Sequence, residues 1–293
     1  AISTSAAINV GAFTSTLLTP WLLREFGPGW AFGVPGVLMG LATWVFWLGR
    51  NKFVHIPPTG NKVFREIVSP DSLRALANLL PLYFIFLVVF WTLFDQTQST
   101  WIVQAREMDR DVLGWNLDVA ALQAANPILV LILVPLFATV IYPALGKFVE
   151  VTPLRKMGAG FFFGAASFAI CALAQNWIDQ GHTPSVWWQL LAYAVLTAGE
   201  VVLSITALEF SYSQAPKTIK SVIIGVYWLS VSAANFIIAF VNSQIASLEE
   251  AGYSFLTGEN YFWTFSAASL IAGCLFAVWS QFYSGRTYIQ GED

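Results

Sequence analysis

Charged side chains are scarce in this sequence: Asp, Glu, Lys and Arg make up 11% of its 293 residues. A soluble domain usually carries about 25%, so the chain has too little polar surface to cover a soluble core of this size. The net charge of −3 gives no electrostatic indication of nucleic-acid binding. We therefore predict a protein that is not a soluble globular domain and has no nucleic-acid partner.

Histidine and cysteine are equally rare, with two of each. His55 and His182 lie apart in predicted loops, and Cys171 and Cys274 lie inside apolar runs, where a packing role is typical. The sequence shows no metal-ligand cluster, no phosphate-binding loop and no nucleophile–histidine–acid set. We predict no metal site, no cofactor and no enzymatic activity.

Long apolar runs dominate what is present, since 57% of the residues are hydrophobic and the mean hydropathy is +0.64. A membrane-spanning helix needs about 20 largely apolar residues. Such runs cover approximately residues 3–23, 30–48, 79–103, 120–145, 157–176, 186–210, 221–246 and 261–283. They are too long and continuous for the alternating strands of a β-barrel. The fold class predicted is an all-α membrane protein with eight transmembrane helices.

Basic residues predict the orientation of these helices, because cytoplasmic loops are enriched in Lys and Arg. One set of alternating loops holds eleven of the 14 basic residues: Arg50, Lys52, Lys62, Arg65, Arg74, Lys147, Arg155, Lys156, Lys217, Lys220 and Arg286. We predict that the 49–78 loop and the C-terminus are cytoplasmic. The predicted location is the plasma membrane, with a bacterial inner membrane favoured. The abrupt start at Ala1 leads us to expect an N-terminally truncated chain.

Two acids lie inside apolar runs: Asp95 within 79–103 and Glu200 near the middle of 187–210. A charged side chain at the centre of a bilayer costs about 2.5–3.5 kcal/mol on insertion scales. Such residues usually face the protein interior and mark an ion or substrate path. A desolvated carboxylate attracts a cation or takes up a proton, so these two acids are the strongest indication of function.

Short strings in the right order resemble the proton-dependent oligopeptide transporter family of the major facilitator superfamily. They are INVGAF (8–13), GWAFG (29–33), FWTLFDQ (90–96), Asn126-Pro127, LEFSYSQAP (208–216) after Glu200, and Trp228 with Asn235. With eight spans, the resemblance implies helices five to twelve of a twelve-helix parent. Residues 1–48 would be the last two helices of the N-terminal bundle, 49–78 a cytoplasmic linker and 79–293 the C-terminal six-helix bundle. The family's E-x-x-E-R-F motif, expected in the first helix, is not in this sequence.

The resemblance implies a secondary active transporter that imports di- and tripeptides with protons by alternating access. Glu200 would bind the peptide's amino terminus and share in proton coupling, and Asp95 would act in proton coupling. The other implied substrate contacts are Asn9, Trp91, Asn126 and Trp228. The expected partners are a di- or tripeptide, protons and the lipid bilayer.

The residues alone leave other interpretations open. Glu200 could be satisfied by a neighbouring helix, Asn126 could cap a helix before Pro127, and Asn9 could bond between helices. The two tryptophans could serve packing alone. Alternative functions are a carrier of another solute such as nitrate or a drug, and a membrane enzyme or assembly subunit that does not transport.

Overall fold

The computed structural model describes residues 2–53 and 62–285. Within these ranges, eight helical segments are long and apolar enough to cross a membrane: Ala6–Phe26, Pro28–Leu48, Pro70–Arg106, Val119–Leu145, Pro153–Asp179, Trp187–Ser213, Lys220–Glu250 and Gly258–Phe282. The prediction of an all-α protein with eight transmembrane helices is confirmed. We predict that Arg286 and the loop containing His55 and Pro57 lie in the cytoplasm. Arg286, His55 and Pro57 lie outside the described residues.

Twelve α-helices and one short hairpin make up the described part of the chain. The helices are α1 (Ile2–Phe26), α2 (Pro28–Leu48), α3 (Lys62–Ile67), α4 (Pro70–Pro81), α5 (Val88–Phe94), α6 (Thr100–Arg106), α7 (Ala125–Leu136), α8 (Tyr142–Leu145), α9 (Pro153–Asp179), α10 (Trp187–Ser213), α11 (Lys220–Glu250) and α12 (Gly258–Phe282). The hairpin pairs β1 (Asp111–Val112) with β2 (Trp115–Asn116) in antiparallel register. Its two turn residues, Leu113 and Gly114, both have positive φ.

The third and fourth spans are interrupted helices. In each, a π-helical segment follows a proline inside the helix: Leu82–Leu87 follows Pro81, and Phe137–Ile141 follows Pro135. Proline removes a backbone donor and its ring collides with the carbonyl of the preceding turn, so the hydrogen-bond pattern changes there. Short 3-10 turns at Asp95–Gln98 and Val119–Ala124 add two further breaks.

The third span begins at Pro70, inside the predicted 49–78 linker, and not near 79. Ser69 caps this helix by accepting a hydrogen bond from the Ser72 backbone N–H at 3.3 Å, and Pro70 takes the first helical position. The first turns carry Asp71 and Arg74, so the apolar pattern begins later than the helix. The division into two bundles and a linker stays a prediction.

The densest packing lies where α9 runs between α10 and α12, and small residues permit it. A Cβ on Gly160 of α9 would lie 3.0 Å from the Gly199 carbonyl oxygen of α10 and 2.5 Å from Leu203 Cβ. On the other side, Ser269 of α12 donates a hydrogen bond to the Phe161 carbonyl at 2.8 Å. The close approach of these three helices holds the centre of α10 in place.

The first two helices lie at the edge of this assembly. They pack on each other, and α1 also packs on α7 and on the 3-10 turn before it. Among the described residues of α1 and α2, only Leu22 and Ala31 are buried. Exposed apolar side chains are expected for helices that hydrocarbon solvates. The fold therefore places α7 between α1 and α10.

We expect Gly160→Ala to lower the melting temperature of the detergent-solubilised protein, because the added methyl group would push α9 away from α10. Overpacking of this kind typically costs about 1–3 kcal/mol. Gly225→Ala in α11 is the matched control, since its Cβ would meet nothing within 4 Å. An equal melting temperature for Gly160→Ala and the unmodified protein would contradict the close approach of α9 and α10.

Candidate functional site

Glu200 lies about midway along α10 and is half-buried. Thr197 and Ser204 precede and follow it by about one turn, so the three polar side chains share one face of the helix. Ser204 donates its hydroxyl proton to the Glu200 backbone carbonyl at 2.9 Å. The hydroxyl group of Ser204 therefore has its hydrogen-bond partner within α10, while the Glu200 carboxylate points to α7.

The carboxylate of Glu200 is hydrogen-bonded to Asn126 in the first turn of α7. Asn126 Nδ2 donates to Glu200 Oε2 at 2.7 Å and to Thr197 Oγ1 at 3.1 Å. The 3-10 turn Val119–Ala124 leads directly into α7, so Asn126 lies one residue inside the helix and does not cap it. The alternative that Asn126 is a helix N-cap is therefore wrong, because its amide bonds across to α10.

Asp95 has an equivalent amide partner on a different helix. It begins the 3-10 turn that follows α5, and its Oδ2 accepts a hydrogen bond from Asn235 Nδ2 of α11 at 2.7 Å. Asn235 Nδ2 also donates to the Val231 carbonyl at 3.1 Å. Sequence reasoning named Asn235 as part of a resembling string and gave it no site role. Its position seven residues after Trp228, on the same face of α11, was the available signal.

The two carboxylates are not neutralised by basic side chains. Among the side chains that the structure describes, neither acid forms an ion pair, and the ion pair that is resolved joins Arg24 and Glu25 at the exposed end of α1. No group of three or more potential metal ligands occurs among the described residues. Each carboxylate is therefore bonded to a neutral amide, which satisfies one oxygen and leaves the negative charge in place.

A sequence model described as the POT family matches residues 5–69 and 64–264. The chain belongs to the POT family. Both matched ranges lie within the described fold except for residues 54–61, and together they contain all six predicted site residues. The predicted family and its membership of the major facilitator superfamily are confirmed.

Named relatives agree with this assignment. The chain is 36% identical over 215 residues to peptide transporter 3 of Caenorhabditis elegans, covering 59% of this chain and 30% of that protein. It is 33% identical over 243 residues to solute carrier family 15 member 2 of Rattus norvegicus, covering 69% and 33%. The crystal structure of an auto-inhibited POT family peptide transporter superposes with a TM-score of 0.80 at 28% identity, covering 99% of this chain and 71% of that one.

The chain thus spans about a third of the length of the two curated relatives. The family assignment supports the prediction that the chain is not an enzyme.

The two tryptophans of the predicted POT-family site differ in exposure. Trp91, one turn before Asp95, is 8% exposed and packs edge-on against Phe94, with ring centroids 5.4 Å apart. Trp228 of α11 is 55% exposed and packs edge-on against Tyr227 at 5.6 Å. Burial of Trp91 supports a packing role, whereas Trp228 presents its indole outside the core. Substrate contact by either residue stays a prediction.

Asn9 is the predicted site residue that lies furthest from the paired acids in sequence. It is half-buried on α1, the helix that packs on α7. The structure brings Glu200 and Asn126 together and pairs Asp95 with Asn235. Substrate contact by Asn9 stays a prediction.

We expect Asn126 and Glu200 to be energetically coupled. In a double-mutant cycle of Asn126→Ala and Glu200→Ala, followed by unfolding in detergent, the coupling should be about 0.6–1.7 kcal/mol, as for hydrogen bonds between membrane helices. A cycle of Asn126→Ala with Asn235→Ala is the control. Those two amides share no partner, so their effects should add to within about 0.5 kcal/mol. Additive effects in the first cycle would contradict the 2.7 Å hydrogen bond between Asn126 and Glu200.

Proposed function

We propose that the full-length protein is a proton-coupled secondary transporter that imports di- and tripeptides by alternating access. The observation that carries this proposal is the Glu200 carboxylate, held by the Asn126 amide at 2.7 Å without a basic partner in the described chain. The peptide-transporter relatives support the substrate class. The substrate site would comprise Glu200, Asn126, Asn9, Trp91 and Trp228.

Glu200 suits recognition of a peptide's amino terminus. Its Oε2 is bonded to Asn126, and its Oε1 makes no hydrogen bond with any described residue. An ammonium group has three donors and no acceptor, so it complements a carboxylate with a free oxygen. An amide next to the carboxylate positions it without neutralising it, which leaves the attraction for the cation intact.

Asp95 suits proton coupling because it joins two helices through a bond that depends on its charge. An ionised carboxylate accepts the Asn235 amide proton strongly, and protonation would weaken that bond. Asp95 lies where α5 gives way to a 3-10 turn, so a change in the bond would act at an irregular point of the span. Protonation could in this way favour one arrangement of α5 and α11 over another.

The proposed arrangement in the membrane follows the basic residues. Residues 1–48 would close the N-terminal bundle, the segment before Pro70 would link the bundles in the cytoplasm, and the spans from Pro70 onward would form the C-terminal bundle. The concentration of Lys and Arg in one set of loops supports a cytoplasmic C-terminus in the plasma membrane. Transport of an anion such as nitrate is disfavoured, because the Glu200 carboxylate would repel it.

The direct test is uptake of a labelled dipeptide by proteoliposomes that contain the full-length protein. Uptake should exceed equilibrium only when a proton gradient is imposed. Uptake at the same rate with and without the gradient would indicate facilitated diffusion and contradict proton coupling. No saturable dipeptide uptake under either condition would exclude peptide transport.

We expect Glu200→Gln to be the most damaging single substitution for substrate binding. Gln retains the shape and loses the charge, so affinity for dipeptides with a free amino terminus should fall roughly 30-fold or more, as when one partner of a buried charge pair is removed. N-acetylated dipeptides should bind equally poorly to both proteins. Competition binding at neutral pH is the measurement, and Glu209→Gln, exposed near the end of α10, is the control. Equal dipeptide affinity in Glu200→Gln and the unmodified protein would remove Glu200 from the site.

We expect Asp95→Asn to impair gradient-driven uptake more than exchange of peptide across the membrane. Asn cannot change its charge with pH, so the bond to Asn235 would no longer respond to protons. Driven uptake and counterflow exchange should be measured in the same proteoliposomes. Asp111→Asn in the exposed hairpin serves as the control. Driven uptake with an unaltered rate and pH profile in Asp95→Asn would place the coupling elsewhere.

A further inference from the structure

A cavity of about 340 Å³ lies between the end of the fourth span and the start of α9, and neither Glu200 nor Asp95 lines it. Its volume falls in the range of about 300–1,000 Å³ that is usual for small-molecule pockets. Its walls are mostly apolar and include Phe137, Ile141, Phe163 and Val202. In water such walls would favour collapse, but on a membrane-spanning segment the neighbouring medium is itself hydrocarbon.

Two cations lie at one end of this cavity, in the first turn of α9. Arg155 is exposed and Lys156 is half-buried, and both line the cavity. They follow Pro153 at the start of the helix, where the helix dipole adds positive potential. The cavity therefore has an apolar body and a positively charged end.

Neutral groups hold both cations in place. Arg155 Nη1 donates to the Glu150 backbone carbonyl at 2.8 Å, and Lys156 Nζ lies 4.8 Å from the centroid of the Tyr142 ring. Glu150 also borders the cavity, and Glu209 borders an adjoining one that Lys156 lines as well. Within the described chain, neither acid forms an ion pair with these cations, so both positive charges remain available to a ligand.

We propose that this cavity binds an anionic phospholipid. The phosphate would lie at Arg155 and Lys156, and one acyl chain would lie along Phe137, Ile141 and Phe163. Basic pockets between transmembrane helices bind anionic headgroups in this way, through charge at the interface and apolar contact below it. Zwitterionic phospholipid offers the same chain and no net negative charge, so the two cations should make the cavity selective.

The test is native mass spectrometry of the full-length protein, titrated with phosphatidylglycerol or phosphatidylcholine of identical acyl chains. The unmodified protein should retain phosphatidylglycerol more tightly. Arg155→Gln and Lys156→Gln should each weaken phosphatidylglycerol binding roughly fivefold and leave phosphatidylcholine binding unchanged. Lys147→Gln is the matched control, because Lys147 is an exposed cation of the same loop and does not line the cavity. The Lys147→Gln variant should bind both lipids as tightly as the unmodified protein.

A second variant tests the apolar body of the cavity. Ala159 lines it and is exposed, so Ala159→Phe can occupy the space without compressing the core. This variant should bind both lipids more weakly while its melting temperature without added lipid stays unchanged. Lipid retention is measured without transport, so the result does not depend on the proposed peptide uptake.

Three results would overturn the lipid site. They are equal retention of the two lipids by the unmodified protein, an equal loss in Lys147→Gln and Lys156→Gln, and unchanged lipid binding in Ala159→Phe. The first would show that the cavity does not select for headgroup charge, the second would reduce the selectivity to general surface charge, and the third would place the acyl chain elsewhere.

Discussion

Polar groups inside a membrane must find their partners within the protein, because hydrocarbon offers none. This constraint accounts for four bonds that hold the described interior together. The hydroxyl groups of Ser266 and Ser269 bond to backbone carbonyls of α9, and Asn126 and Asn235 bond to the two intramembrane acids. Each of these bonds joins different spans, so satisfaction of the polar groups also determines which helices are neighbours.

Interrupted helices follow from the same constraint. A proline such as Pro81 or Pro135 withdraws a donor, and the π-helical segments that follow keep the remaining carbonyls bonded within the span. Both site residues also lie beside a change of helical geometry. Asp95 begins the 3-10 turn that follows α5, and Asn126 lies two residues after the 3-10 turn Val119–Ala124.

Hydropathy was sufficient to predict all eight spans, because each is an apolar run of the required length. The start at Pro70 could not be predicted in this way, since Asp71 and Arg74 make its first turns polar. Glu200 and Asp95 stood out as acids within apolar runs. The bond between Asp95 and Asn235 links residues 140 positions apart and depends on how α5 and α11 are rotated against each other. The spacing from Trp228 to Asn235 indicates a shared face of α11, but it does not contain the rotation of that face towards α5, so Asn235 was given no site role.

The two asparagines have a further consequence through the geometry of the amide group. Each Nδ2 carries two hydrogen atoms, and both are committed: those of Asn126 to Glu200 and Thr197, and those of Asn235 to Asp95 and Val231. With its nitrogen held at two points, neither amide can rotate freely, and each Oδ1 is turned away from the carboxylate. The pairs then offer a ligand lone pairs and few protons. Such a surface favours ligand groups that donate several hydrogen bonds and disfavours ligand groups that only accept them.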